Sequence, residues 1–344
     1  MSAPSPAPAS PAAVEIDGLV MRYGEKVAVD GLSLTVARGS ITAVLGPNGA
    51  GKTTTLETAE GYRAPQAGAV RVLGLDPMRD RRALLPRIGV MLQGGGAWSG
   101  VRADEMLRHI ARLHAHPLDL DVLSERLGLG ECGRTPYRRL SGGQQQRLGL
   151  AMAIVGRPEI VFVDEPTAGM DPAARRTTWE LLAELRDAGV TVVLTTHYMD
   201  EAERLADRIH IIDHGRLIAS GTPLELTRGG NAATIRLVVT TPFPPDAPQS
   251  LRAALGDQVD VTLLDAVSIV VSGPADASSL ATVSRWCEEN DVLPESLALG
   301  QRTLEDVFLE LTGRELESSA RRSSPPRLRS PVDQRRGDPG KAAS

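Results

Sequence analysis

One short segment constrains the fold of this chain more than any other feature of its sequence. The apolar run Ile41 to Leu45 reads as a strand, and an apolar helix is expected to begin near Thr54. Between them lies a glycine-rich turn, Gly46-Pro47-Asn48-Gly49-Ala50-Gly51-Lys52-Thr53, which fits the phosphate-loop pattern. Strand, loop and helix in this order predict backbone N–H groups that converge on a phosphate at the N-terminus of the helix.

Lysine is rare in this chain, and one lysine lies in that loop. Of the 38 lysine and arginine residues, only Lys26, Lys52 and Lys341 are lysines. The compact ammonium of Lys52 is suited to a position beside the β and γ phosphates, where a planar guanidinium fits differently. We expect Lys52 to be an exposed loop residue that carries little packing energy. The Thr53 hydroxyl is expected to coordinate Mg²⁺.

A second apolar run ends abruptly in two acids. The predicted strand Ile160 to Val163 is followed directly by Asp164 and Glu165, and a buried strand that ends in carboxylates needs a cation nearby. Asp164 is expected to hold Mg²⁺, directly or through a bound water, and Glu165 to act as general base on the attacking water or to orient it. Acids at a strand end are more often only a solvated turn or a helix cap. The functional interpretation therefore depends on the phosphate loop.

A third motif precedes a predicted helix that extends to Val155. Its sequence is Leu140-Ser141-Gly142-Gly143-Gln144. A serine and two glycines at a helix start offer a second cradle for an anion. On its own, this motif would predict only a helix N-cap.

Together the three motifs closely resemble those of the ATP-binding cassette (ABC) family, and the resemblance extends from Tyr23 to His197. It implies ATP and Mg²⁺ as ligands, with Tyr23 stacked on the adenine, His197 at the γ phosphate, and Gln93 at a hinge that contacts Mg²⁺ and a membrane permease. The loop Ala168-Gly169-Met170-Asp171 would contact a second cassette. The implied ATP-binding residues are Tyr23, Gly46, Pro47, Asn48, Gly49, Ala50, Gly51, Lys52, Thr53, Thr54, Ser141, Gly142, Gly143 and Gln144. The implied catalytic residues are Glu165, His197 and Gln93, and the implied Mg²⁺ ligands are Thr53, Gln93 and Asp164.

Two departures from the family pattern stand out. Gly94-Gly95-Gly96 follows Gln93 where the family more commonly has bulkier or charged residues, so we expect a flexible loop there. Met170 replaces the usual leucine, which is a near-isosteric change. The last predicted helix, Leu304 to Leu311, resembles the C-terminal extension of the drug-resistance branch of ABC exporter ATPases, and this favours export.

We expect an α/β fold, because strands and helices alternate as in a parallel sheet with right-handed crossovers. The resemblance implies that this fold is a phosphate-loop NTPase of ABC type. The ABC domain is expected over residues 14–229 and includes a helical subdomain, interrupted at Pro117. A small α+β extension is expected over residues 232–313. Residues 1–13 and the Arg/Ser/Pro-rich tail 314–344 are expected to be disordered.

The apolar runs, the cysteines and the net charge limit where this protein can act and what it can bind. No apolar run approaches the ~20 residues needed to cross a bilayer, and the N-terminal segment lacks the charge pattern of a signal peptide. Cys132 and Cys287 are expected to be free thiols. The net charge of −5 gives no electrostatic reason to expect nucleic acid. Together with these properties, the resemblance to the ABC family implies a peripheral subunit at the cytoplasmic face of the membrane. It also implies an integral-membrane permease on a separate chain and a second ABC subunit, a homodimer being expected.

Two other functions fit parts of the pattern. A non-transport ABC ATPase of translation typically has two cassettes in tandem, and one of DNA repair inserts a long coiled coil between Gln93 and Ser141. This chain has one phosphate loop and too short a stretch for such a coil. A regulator that binds ATP without turnover is disfavoured because Glu165 and His197 are both present.

Overall fold

The structure is a computed structural model, and it describes residues 12–91, 98–227, 233–256, 258–273 and 276–312. The strands are β1 (Ala12–Tyr23), β2 (Lys26–Ala37), β3 (Ile41–Leu45), β4 (Ala67–Val72), β5 (Ile88–Met91), β6 (Ile160–Asp164), β7 (Thr191–Thr196), β8 (Arg208–Asp213), β9 (Arg216–Gly221), β10 (Ala233–Val239), β11 (Asp260–Asp265), β12 (Ser268–Gly273) and β13 (Pro294–Gln301). The helices are α1 (Lys52–Ala59), α2 (Arg81–Leu84), α3 (Ala103–Ala111), α4 (Leu120–Arg126), α5 (Gly142–Ile154), α6 (Pro172–Asp187), α7 (Met199–Leu205), α8 (Pro223–Thr227), α9 (Ala247–Leu255), α10 (Ala277–Glu289) and α11 (Leu304–Thr312).

A six-stranded sheet forms the centre of the molecule, in the order β5-β6-β7-β3-β8-β9. Every pairing in it is parallel except that of β8 with β9. The strands β3, β6 and β7 are buried along their whole length, as expected of apolar runs covered on both faces. The α/β fold predicted from the sequence is confirmed.

The two faces of this sheet pack into different hydrophobic clusters. Ile41, Ala43 and Leu45 point into the cluster formed with helices α3 to α7, whereas Val44 and Phe162 point into the cluster formed with β1, β2, β4 and α1. The alternation follows from the two-residue period of a strand. The central sheet is therefore the middle layer of the cassette.

The first part of the chain contributes a second sheet, whose strand directions the sequence did not predict. Strands β2, β1 and β4 form an antiparallel sheet of their own. The turn between β1 and β2 is short because Tyr23 pairs with Lys26, and Gly24 supplies the positive φ of 59° that this tight reversal needs. β1 also begins at Ala12, two residues before the expected boundary, and Ala13 is buried beneath the sheet.

The predicted helical subdomain is present as two separate helices, α3 and α4. The expected interruption at His116-Pro117 falls between them. Asp119 starts the second helix, because its carboxylate accepts hydrogen bonds from the backbone N–H groups of Asp121 and Val122.

The C-terminal part has its own four-stranded antiparallel sheet, in the order β11-β12-β10-β13. Helices α9 and α10 cover one face, and Leu251, Val283 and Trp286 pack there against Ile235 and Ile269. This α+β arrangement matches the elements expected from the sequence, with boundaries shifted by a few residues.

The last helix, α11, packs against the cassette. Leu304, Val307 and Phe308 belong to the hydrophobic cluster of the central sheet, and the backbone N–H of Leu304 donates to Glu203 Oε1 on α7 at 2.7 Å. On its other side, Asp306 accepts from Arg236 of β10 at 2.8 Å. The helix therefore joins the C-terminal sheet to the cassette.

Within the described ranges, no helix is both long enough and apolar enough to pass through a bilayer.

Candidate nucleotide site

The glycine-rich loop lies between β3 and α1, at the carboxyl end of the central parallel strands. Glycine is required at two of its positions by close backbone neighbours. A Cβ on Gly46 would lie 2.3 Å from the carbonyl oxygen of Ile212, and one on Gly51 would lie 2.4 Å from that of Ala28. Gly51 also has a φ of 104°, a conformation that other residues rarely adopt. The sequence thus fixes the chain in a tight turn that opens onto the first turn of α1.

Lys52 is the first residue of α1 and is only 7% exposed. The expectation of an exposed loop side chain was wrong, because the ammonium folds back under the loop. There it donates to the carbonyl oxygens of Gly46 at 2.6 Å and of Pro47 at 3.2 Å. Burial lowers the pKa of Lys52, while the charges of Glu165 and Asp164 act in the opposite direction. Lys52 thus stabilises the loop through hydrogen bonds to two of its backbone carbonyls.

Asp164 ends β6 and lies beside the start of α1. Its carboxylate accepts from the Thr53 hydroxyl at 3.1 Å and from the hydroxyl of Thr195 on the neighbouring strand β7. Burial raises the pKa of Asp164, although the bonds from Thr195 and Thr53 lower it. A buried carboxylate and a threonine hydroxyl therefore face the same point, and both are oxygen ligands.

Glu165 and His197 meet at the ends of two adjacent strands, β6 and β7. His197 Nδ1 donates to Glu165 Oε1 at 3.1 Å. This bond holds the pKa of Glu165 below its usual range, against the effect of burial. Glu165 has a φ of 50°, a conformation that costs a non-glycine residue energy and occurs preferentially at functional sites.

A pocket of about 280 Å³ opens above these groups. Its lining includes these predicted residues: Tyr23, Asn48, Gly49, Gly51, Lys52, Thr53, Thr54 and Glu165. The Tyr23 hydroxyl lies 3.4 Å from that of Thr54, and the guanidinium of Arg63 lies 5.1 Å from the centre of the Tyr23 ring. The lining of the pocket thus combines an aromatic ring with Lys52 and Glu165.

Sequence reasoning missed three residues of this region. Lys26 and Ala28 line the pocket, and Thr195 holds Asp164. The rarity of lysine was the one available signal for Lys26. Thr195 and Ala28 had none, because their roles depend on which strand becomes the neighbour of which.

The Ser141 motif is outside the pocket lining. Ser141 is the N-cap of α5, with reciprocal hydrogen bonds to Gln144: the Gln144 N–H donates to Ser141 Oγ at 3.3 Å, and the Ser141 N–H donates to Gln144 Oε1 at 2.9 Å. Gly143 lies against Met170, so the motif borders the Ala168 to Asp171 loop. Gln93 and Gly94 to Gly96 fall outside the described residues.

The chain is similar to known proteins over most of its length. The ABC transporter family model matches residues 29–168. The daunorubicin resistance ATP-binding protein DrrA3 of Streptomyces coeruleorubidus is 39% identical over 306 residues, which cover 88% of this chain and 96% of that protein. The chain belongs to the ABC transporter family. As a member of this family, it binds ATP and hydrolyses it.

Two further similarities agree with this membership. The Nod factor export ATP-binding protein I of Ralstonia nicotianae is 37% identical over 321 residues, covering 91% of this chain and 98% of that protein. A solved ATP-binding subunit of an ABC transporter superposes with a TM-score of 0.58 at 25% identity, covering 63% of this chain and 92% of its own. The shared part is thus the cassette, with α/β architecture.

Proposed function

We propose that this ABC ATPase powers an exporter for small molecules, multidrug or lipid efflux being the expected activity, through a permease on a separate chain at the cytoplasmic face of the membrane. The observation that carries the proposal is the meeting of Lys52, Glu165 and His197 at one end of the central sheet. Two relatives, a daunorubicin resistance ATP-binding protein and a Nod factor export ATP-binding protein, support export as the direction of transport.

ATP occupies the pocket with its adenine on Tyr23 and its phosphates on the backbone N–H groups of the loop. Lys52 already lies beneath this loop, so a small movement of its ammonium exchanges two carbonyl partners for phosphate oxygens. Glu165 is ionised because His197 lowers its pKa. It can therefore accept the proton of the attacking water.

The residues present fit a bound Mg²⁺. Asp164 offers a buried carboxylate and Thr53 a hydroxyl, and such hard oxygen donors suit this cation. Thr53, Asp164 and Gln93 would hold it, and it would neutralise charge on the phosphates. Burial raises the pKa of Asp164, so a nearby cation would stabilise its ionised form.

A second cassette completes the site. Ser141, Gly142, Gly143 and Gln144 do not line the pocket of their own chain, which supports their acting on the nucleotide of a partner cassette, the simplest partner being a second copy of this chain. The loop Ala168 to Asp171 adjoins the motif through Met170 and would face the same partner. Nucleic acid is not a proposed ligand.

Affinity purification from detergent-solubilised membranes tests the transport assignment. The tagged chain and a Glu165→Gln variant are captured with ATP, and the co-purifying proteins are identified by mass spectrometry. We expect one integral-membrane protein in stoichiometric amount, retained by both. Full ATPase activity with no membrane protein captured, and with ribosomes in the eluate instead, would contradict the transport assignment.

A further inference from the structure

Helix α7 carries a buried acid that the proposed chemistry does not use. Glu201 lies four residues after His197 and is 0% exposed. Burial raises the pKa of Glu201, and the hydrogen bonds from Trp179 and Thr167 oppose that shift. A carboxyl group fully removed from water is costly to a fold unless its hydrogen bonds are made. The hydrogen-bond donors to Glu201 therefore indicate its role in the structure.

One oxygen of Glu201 holds three segments together. Glu201 Oε1 accepts from the Thr167 hydroxyl at 3.0 Å and from Trp179 Nε1 at 2.9 Å. Thr167 lies two residues after Glu165, and Trp179 lies on α6. Glu201 itself lies on α7, the helix that starts two residues after His197. The carboxyl group is thus the junction between the segment that follows Glu165 and the segment that follows His197.

Thr167 is itself held in a tight turn. The N–H of Ala168 donates to the carbonyl of Glu165 at 3.2 Å, and the N–H of Met170 donates to that of Thr167 at 3.2 Å. Thr167 is fully buried. A displacement of its hydroxyl therefore moves the backbone of Glu165 on one side and of the Ala168 to Asp171 loop on the other.

We propose that Glu201 is a positioning residue for ATP hydrolysis, which fixes the loop after Glu165 against the helix after His197. Glu201 is not among the residues that line the pocket. Its effect is to keep Glu165 and His197 at the separation of 3.1 Å at which they meet. This inference rests on the proposed roles of those two residues.

Three substitutions separate positioning from simple stabilisation. Thr167→Val keeps the shape of the side chain and removes the hydroxyl that donates to Glu201. Glu201→Leu removes the acceptor, and Glu201→Gln keeps an acceptor oxygen. Glu203→Gln is the matched control, because Glu203 lies exposed on the same helix and bonds to α11 instead.

For each variant, four quantities are measured: kcat per ATP-binding site, KM, the thermal midpoint of unfolding, and the Kd for ATP in the presence of EDTA. We expect Thr167→Val and Glu201→Leu to lower kcat by about 10- to 100-fold with Kd changed less than about 3-fold, since small misplacements of reacting groups act on the chemical step. Glu201→Gln should retain kcat within about 3-fold, and Glu203→Gln should match wild type.

A purely structural role gives a different result. In that case Thr167→Val and Glu201→Leu lower the thermal midpoint while kcat per binding site stays at the wild-type value, and the inference is wrong. Should Glu201→Leu fail to fold, Thr167→Val decides alone. Should Glu165→Gln hydrolyse ATP like wild type, the role proposed for Glu165 fails instead, and that outcome is distinguishable because it does not involve Glu201.

Discussion

Glu165 Oε1 and His197 Nδ1 lie 3.1 Å apart, and this contact joins the ends of two neighbouring parallel strands. The bond from His197 lowers the pKa of Glu165, so the carboxylate is ionised at neutral pH. It also fixes the direction of the side chain, which projects into the pocket beside Lys52. A base that is ionised and held in direction needs little reorganisation before it accepts a proton.

Glu165→Gln tests this assignment. The amide keeps the size of the side chain but cannot accept a proton, so hydrolysis should slow by roughly 10²-fold or more. ATP binding, measured by equilibrium dialysis with labelled nucleotide, should remain. Turnover within a few-fold of wild type would remove Glu165 from the role of general base.

Lys52→Ala should abolish hydrolysis if, as we propose, the ammonium is the cation that contacts the phosphates. Lys52 also donates to two carbonyl oxygens beneath the loop, so the variant should lose about 1–3 kcal/mol of stability as well. Both quantities can be measured on one preparation, by phosphate release and by urea unfolding. Normal turnover in this variant would contradict the phosphate-loop assignment.

The phosphate-loop region was predictable because its pattern is local. Strand, glycines, lysine and helix follow one another in sequence, and the backbone contacts of Gly46 and Gly51 explain the residue types. The antiparallel pairing of β1 with β2 was not predicted, since strand direction depends on partners and not on residue pattern. The packing of Phe308 in the cassette core could not be predicted either, because an amphipathic helix does not specify which surface covers its apolar face.

Phe308→Ala should therefore destabilise the cassette itself. Phe308 is 0% exposed in the cluster of the central sheet, and replacing a buried Phe by Ala typically costs about 3–5 kcal/mol. Leu311→Ala is the matched control on the same helix, because Leu311 is 44% exposed. Its effect should stay within about 0.5 kcal/mol. Urea unfolding, monitored through the loss of ATP binding, measures the free energy of unfolding of both variants. Equal losses of stability in the two variants would contradict the packing of α11 on the cassette.

Glu60 makes stability depend on pH. Burial, helped by the charges of Asp164 and Glu57, raises the pKa of Glu60 from 4.5 to about 8. Between these two values the folded chain binds a proton that the unfolded chain does not bind. The contribution of protonated Glu60 to the free energy of unfolding is therefore complete below pH 4.5 and is lost as the pH rises to about 8.

Glu60→Gln removes this dependence. The amide is neutral at every pH, so wild type should lose stability relative to the variant by up to about 1.4 kcal/mol per pH unit as the pH rises. Urea unfolding of both proteins at several pH values between about 5 and 8.5 measures the difference between their free energies of unfolding. The contributions of the other titrating groups are the same in both proteins and cancel in this difference. A difference that stays constant over this range would show that Glu60 is ionised in the folded chain.

Ser141 is expected to act on the nucleotide of a second chain. Ser141 caps α5 and does not line the pocket that contains Lys52. If two copies close head to tail over ATP, Ser141 of one copy meets the nucleotide held by Lys52 of the other. Ser141→Arg should then bind ATP as a monomer but fail to form the ATP-trapped dimer in a Glu165→Gln background, because a bulky cation blocks the interface.

A mixture of two defective chains distinguishes action across the dimer from action within one chain. One chain carries Lys52→Ala and the other Ser141→Arg, both with Glu165→Gln. If Ser141 acts across the dimer, both defects fall in the same composite site, the second site is intact, and a mixed dimer retains one nucleotide. If it acts within its own chain, each site has one defect and no nucleotide is retained. Size-exclusion chromatography with labelled ATP reads the outcome, with the Glu165→Gln parent as the control that must dimerise alone. If the parent dimerises and the Ser141→Arg variant dimerises equally well, the assignment of Ser141 to the partner's nucleotide is wrong.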